Sequence, residues 1–304
     1  MLRVNLIFLL AFPCLILAQY NVDTNVQYGN ILIEEFTGVK CSNCPRGHAL
    51  IDSLLGVMGH RLNAVGVHPM TSSFTSPINS TDKDLRTSHG DSIYSHPLFG
   101  RHAMPGAIIN RSRRYNYYSN PPDGSAYYMW IPDMENPGYP LTWESAIDTL
   151  WNEVSPVNIA LQSIYNGSTK SLVIDVEIYY TSDVAVGETH NLNIYLTEDS
   201  LIAEQFGAGG GPNYAHNHIL RHCITSTWGD DIGNNKKGDF LSYSYFVSDV
   251  DDYIDNPNKA HIIAFISNGK AEAADGSSPN KKGEVYTSVQ TSFDAAFSIF
   301  DYKV

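Results

Sequence analysis

The chain has 304 residues, long for one hydrophobic core, so two domains of roughly 130–150 residues are expected. Hydrophobic residues make up 43% and charged residues 17%, the composition of a water-soluble globular fold and not of a disordered or fibrous chain. Aspartate and glutamate outnumber lysine and arginine 32 to 19, giving a net charge of -13; with no basic run to offset it, nucleic acid and anionic lipid are set aside as partners.

The first 18 residues read as a targeting segment: Arg3 supplies the positive start, Leu6 to Leu17 the apolar stretch, and Leu17-Ala18 a small-residue exit before Gln19. Lipidation at Cys14 is not expected, because Phe12-Pro13 before it lacks the small residues that such processing needs. No later stretch is long and apolar enough to span a membrane. Next, over residues 31–44 an apolar strand opening at Ile31 runs straight into Cys41-Ser42-Asn43-Cys44, and Pro45 through Met58 repeats Leu50, Ile51, Leu54, Leu55 and Met58 on one helical face. A Cys-x-x-C pair where a strand ends and a helix begins is the setting that dithiol redox chemistry uses. In an exported chain the same pair can also close as a static staple. Half of a zinc site is a weaker option, since no second close Cys/His pair follows.

Leu62 to His68 is a second strand, stopped by Pro69. Residues 70–103 are polar, with helical patches expected at Asp82–Ser88 and Ser92–Phe99. Ala103-Met104-Pro105 then opens a short apolar strand through Ile109, a place where an X-Pro bond can adopt the cis form. Residues 112–140, rich in Tyr, Asn, Pro and Gly, form an insertion whose rings Tyr115, Tyr117, Tyr118, Tyr127, Tyr128, Trp130 and Tyr139 either cover the core or offer a partner surface. Thr142 to Asn152 is a helix with Trp143, Ile147, Leu150 and Trp151 on its apolar face.

Beyond Pro156 strand alternation dominates. Strands are expected at 157–164, 174–180, 192–196, 216–225, 240–247, 261–267 and 285–293, which together indicate a two-sheet β-sandwich of roughly immunoglobulin size. In a strand over 216–225, His216, His218 and His222 would share a face and could meet a zinc or copper ion; a structural role is the simpler expectation, since no fourth ligand is placed. Cys223 reads as a small buried hydrophobe. The Asp/Asn-rich turns at 228–239 and 249–258 lack the spacing of a calcium loop, and Gly207 to Gly211 lacks a phosphate-binding signature. No cofactor or resident metal is expected.

Strand, Cys-x-x-C, helix, strand, and a proline opening the next strand is an order of elements that resembles thioredoxin-like proteins over residues 30–111, reaching to about Asn152. The resemblance implies that Cys41 attacks, that Cys44 resolves the mixed disulfide, that Pro105 is the cis-proline facing the dithiol, and that Glu35 is the buried acid that moves the resolving cysteine's proton. Lys40 before the pair and Ser42-Asn43 within it depart from the thioredoxin pattern, and Lys40 could itself favour a thiolate.

Leu-Ile-Glu-Glu-Phe-Thr-Gly at 32–38, Cys-x-Asn-Cys-Pro at 41–45 and Asn-His-Ile-Leu-Arg at 217–221 together resemble the outer-membrane-protein-28-related family of Bacteroidetes. That resemblance implies an exported cell-envelope protein, periplasmic or at the outer membrane. Its architecture would be α/β plus all-β: signal segment 1–18, a thioredoxin-like α/β domain at 19–154, and an immunoglobulin-like β-sandwich at 155–304. Partners would be protein or peptide thiols and disulfides, with outer-membrane association. Two functions follow, a thiol-disulfide oxidoreductase or a non-enzymatic binding or structural protein with a static disulfide.

Overall fold

Strand β1 (Ile31–Phe36) is buried at all six positions, because both of its faces are covered. In the computed structural model, which describes residues 21–96, 104–112, 134, 142–270 and 283–293, it is the first element of a large mixed sheet. It pairs in parallel with β2 (Leu62–Val67) across helix α1 (Cys44–Met58), and antiparallel with β3 (Gly106–Ile109). Two shorter helices are α2 (Ser88–Tyr94), capped by the Thr87 side chain, and α3 (Trp143–Leu150), which starts with a capping box between Thr142 and Ser145. The helix expected at Asp82–Ser88 is absent; its residues make turns and extended backbone, and the chain turns helical only where Thr87 caps α2. Residues 1–18 and nearly all of the Tyr-rich insertion lie outside the described residues.

The second half supplies β4 (Val157–Asn166), β5 (Ser171–Tyr180), β6 (His190–Glu198), β7 (Leu201–Gln205), β8 (Gly211–His216), β9 (Ile219–Cys223), β10 (Asp230–Gly233), β11 (Phe240–Val247), β12 (Ala260–Asn268) and β13 (Val285–Ser292). The molecule is therefore mainly β with few helices. β4, β5 and β11 form one three-stranded sheet, and β7 and β8 a hairpin. The remaining strands do not make a separate sheet. They run in the order β13-β12-β6-β9-β2-β1-β3, with β10 beside β6, so strands from before residue 154 and from after residue 155 share one sheet. The join is narrow: β2 meets β9 in parallel at Gly66 and Ile219, and the Gly66 N–H donates to the His218 carbonyl at 2.7 Å.

This sheet bends until its ends touch. The Val285 N–H donates to the Asn110 carbonyl at 2.7 Å, and Asn30 and Asn63 reach Thr287 and Ser288 of β13. Inside the bend lie Leu32, Phe36, Val65, Ile108, Tyr195 and Phe265. Outside it, Ile31 and Ile33 of β1 pack under α1 and α3 with Ile51, Trp143 and Ile147. The three-stranded sheet covers the other outer face through Leu161, Ile174, Val176 and Ile178 against Leu192, Ile194 and Ile262.

The strand expected over 216–225 is interrupted. β8 ends at His216, and the chain turns through His218 at φ +59° before β9 begins, which is the backbone reason that three histidines meant for one face point to three places. His216 is buried beside His48 and His68, His218 lies 3.7 Å from Asp52 and 3.4 Å from Asp199, and His222 stacks on Tyr253 at 3.8 Å. Cys223 is buried at the end of β9, where burial pushes its thiol well up.

Candidate functional site

Glu34 and Glu35 are neighbours in sequence and opposites in environment, because side chains alternate along a strand. Glu34 faces the inside of the bend, where Arg111 makes two hydrogen bonds to it at 2.7 Å and a third to the Tyr195 hydroxyl at 2.9 Å. Glu35 faces the helices and lies beneath the first turn of α1. It is 3% exposed, and its Oε1 has no hydrogen-bond partner. Burial first, and the Asp52 charge second, raise its pKa well above the ordinary carboxyl value. An unpaired ionised carboxylate in such a place costs several kcal/mol or more, so the neutral acid is the favoured form.

Cys41 and Cys44 are joined by a disulfide across the turn into α1, with Cα atoms 5.4 Å apart. Cys44 is the first residue of the helix, and Pro45 occupies the first turn, where a missing N–H costs nothing. Gly47 is the reason that the surroundings fit so closely. A Cβ there would lie 2.6 Å from Glu35 Oε1, 2.9 Å from Pro105 Cβ and 3.3 Å from the Trp143 ring. Those groups therefore press directly on the helix one turn after Cys44. The Met104-Pro105 bond is cis. The structure thus brings Glu35 and Pro105 together against the helix that begins with Cys44. Lys40 turns away to donate to Ser76 Oγ at 2.6 Å.

Both cysteines are buried, Cys41 4% exposed and Cys44 fully so. The cover comes from the β7–β8 hairpin, which sequence patterning missed. Gln205 Nε2 donates to the carbonyls of Cys41 at 2.9 Å and Gly38 at 3.3 Å, and the Phe206 N–H donates to Val39 O at 2.8 Å. At the tip, Gly207 has φ +104° and lies so close that a Cβ would sit 2.8 Å from Ser42 Cα. Gly207→Ala is therefore expected to lift the hairpin, at a cost of about 1–3 kcal/mol in closed-state stability, and to speed reduction of the disulfide by a phosphine about tenfold or more. Reduction at the native rate would show that the hairpin does not guard the bond.

His48, one helical turn after Cys44, was also missed, although its i+4 spacing from that cysteine was a readable signal. Its Nε2 is 2.7 Å from Thr37 Oγ1 and 3.9 Å from Glu35 Oε1, and its Nδ1 is 2.8 Å from the Tyr214 hydroxyl. Burial lowers its pKa to about 4, so it is neutral at pH 7. Burial likewise lowers His216 to about 4 and pushes Tyr214 up to about 12. Neither ring nitrogen of His68 or His216 has a hydrogen-bond partner. Even so, no group of three or more His, Cys, Asp or Glu among the described residues is arranged to hold a metal ion.

Residues 94–277, more than half of the chain, match the model of a family described as outer membrane protein Omp28. The chain belongs to the Omp28 family. The matched span includes the hairpin and β9 and begins after the Cys-x-x-C pair. Among solved structures, this Omp28-family chain is similar to HBP35 of Porphyromonas gingivalis at 14% identity, covering 90% of this chain and 77% of that one with a TM-score of 0.63. That likeness is one of fold. It is also similar to a domain of the outer membrane lipoprotein Omp28 from Porphyromonas gingivalis, at 18% identity over 46% of this chain and 89% of that one, with a TM-score of 0.29. No curated protein matches the chain.

Proposed function

We propose that this Omp28-family chain is an exported protein of the outer membrane or periplasm that exchanges disulfides with partner proteins through Cys41 and Cys44. On this reading residues 19–154 are a thioredoxin-like unit, and residues 155–304 an immunoglobulin-like sandwich that anchors or docks it. The observation that carries the reading is Glu35, a buried acid with an unpartnered oxygen under the first turn of the Cys44 helix. A disulfide that only staples needs no such group, whereas a thiol that must lose and regain a proton does.

The chemistry balances with these residues. The Cys41 thiolate attacks a partner disulfide, forming a mixed bond and releasing one partner sulfur as a thiolate. Once Glu35 has given up its own proton to solvent, the Cys44 thiol passes its proton to the Glu35 carboxylate and attacks Cys41, which closes the Cys41–Cys44 bond and releases the second partner thiolate. Two electrons pass to the partner; the reverse sequence oxidises it. Membership in a family described as outer membrane protein supports the location.

A non-enzymatic binder with a static disulfide is the second reading, and the hairpin over Cys41 favours it. One experiment separates the two. Reduced Cys44→Ser, incubated with a disulfide-bonded peptide, is expected to accumulate a mixed disulfide at Cys41 that Cys41→Ser does not form. Equal labelling of the two variants, or none in either, would leave the static disulfide.

A further inference from the structure

We propose that protons reach and leave the site from behind, through a small cavity between α1 and the β8–β9 turn, and not across the hairpin-covered face of the disulfide. The proposal rests on the exchange reading and adds a proton route to it. The cavity has a volume of about 40 Å³ and is lined by Glu35, His48, Asp52, Ala64, Tyr214 and His218, among others. That is room for roughly two or three waters, at about 10–15 Å³ each, and the walls carry enough polar groups to hold them.

Glu35 Oε1 and His48 Nε2 are 3.9 Å apart, too far for a hydrogen bond, and Thr37 and Tyr214 already take both ring nitrogens of His48, so cavity water meets the open Glu35 Oε1 beside that ring. Beyond His48 the wall is polar to the surface. Tyr214 holds its Nδ1, and Asp52 stands at the mouth, 58% exposed, with His218 Nε2 at 3.7 Å. His218 in turn lies against Asp199. Among the described residues, the titratable groups that line the cavity with Glu35 are His48 and Asp52 from α1, Tyr214 from β8 and His218 from the turn before β9; His216 packs on His48, and His68 on His216. Asp52 helps Glu35 hold its proton, and buried His48 and His216 do not compete for it near neutral pH.

In the oxidising direction for the partner's dithiol, the disulfide takes up two electrons and Cys44 takes its proton from Glu35, which refills through cavity water. In the opposite direction the proton that Glu35 accepts from Cys44 leaves past Asp52. No bond other than those already written forms or breaks.

The test is the rate at which the reduced full-length chain is oxidised by glutathione disulfide, followed across pH together with the final equilibrium. Ala64→Val adds two methyl groups to the cavity wall. It is expected to slow closure of the disulfide about tenfold at neutral pH while leaving the equilibrium with glutathione unchanged. Asp52→Asn, at an exposed position that does not threaten folding, is expected to move the pH midpoint of the rate downward, because it removes a negative charge that raises the Glu35 pKa. Native rates and midpoints in both variants, with Glu35→Gln slow, would overturn the route and leave the exchange reading standing. Failure to trap the Cys44→Ser mixed disulfide would overturn the exchange reading, and the route with it.

Discussion

Lowering the pH from 6.5 to about 4 is expected to unfold the protein. His190 is buried, accepts or donates one hydrogen bond with the Tyr180 hydroxyl at 3.0 Å, and packs on Tyr286; burial lowers its pKa from 6.5 to about 4. His216 is as deeply buried and shifts as far. In the unfolded chain both rings titrate near 6.5, so between 6.5 and 4 the unfolded state binds more protons than the folded one. The stability they contribute is complete above 6.5 and is lost as pH falls toward 4. At about 1.4 kcal/mol per pH unit this amounts to about 3 kcal/mol for each histidine, and the pair rivals the ~5–15 kcal/mol that holds a typical domain folded. His48 and His222 shift in the same direction. Glu35 acts oppositely: its raised pKa contributes stability at low pH that is lost as pH rises through its folded value. Urea midpoints measured across this window should therefore fall steeply on the acid side, and His190→Phe with His216→Leu should flatten that limb. A midpoint constant from pH 6.5 to 4 in the native chain would refute the account.

Arg111→Met is expected to cost about 3–5 kcal/mol, because it leaves Glu34 buried and without its cation. Both side chains are 1% exposed. Burial opposes the guanidinium charge, but Glu34 and Tyr195 more than offset it, so the Arg111 pKa rises. The pair also ties distant parts of the chain together. Arg111 follows β3, Glu34 is in β1, Tyr195 is in β6, and the guanidinium lies 5.2 Å from the Trp228 ring centre and 5.1 Å from that of Phe265. Glu34→Leu combined with Arg111→Met should recover most of the loss, since what destabilises the single variant is the stranded charge. Denaturant unfolding of the two variants decides it, and a double variant no more stable than the single one would contradict the argument.

Much of the local structure was legible. The repeat of Leu50, Ile51, Leu54 and Leu55 marks α1, Thr142 marks the start of α3, and alternation from Ile174 to Tyr180 marks β5, because one buried face leaves a period in the sequence. The pairing of strands was not legible. β2 and β9 are joined at Gly66 and Ile219, 153 positions apart, and nothing in either segment's own pattern names the other. β7, β8 and β10 are short, and Gly211-Pro212-Asn213 at the start of β8 reads as a turn, so the hairpin that covers Cys41 was invisible. At the site, Cys41, Cys44, Glu35 and Pro105 could be named from motif order. His48 and Tyr214 could not be joined to them, since only the fold brings β8 against α1.

The contact between the first and last strands of the bent sheet has a consequence for how the chain is made. Asn30, just before β1, donates to the Ser288 carbonyl 258 residues later, and Asn110 accepts from Val285. Such distant pairings are slow to form, because a long loop must close before any contact rewards it. The inner core around Phe36 and Tyr195 therefore cannot finish until nearly the whole chain has been synthesised. A ribosome-bound fragment that ends before β13 should remain open to protease, and protection should arrive late and all at once.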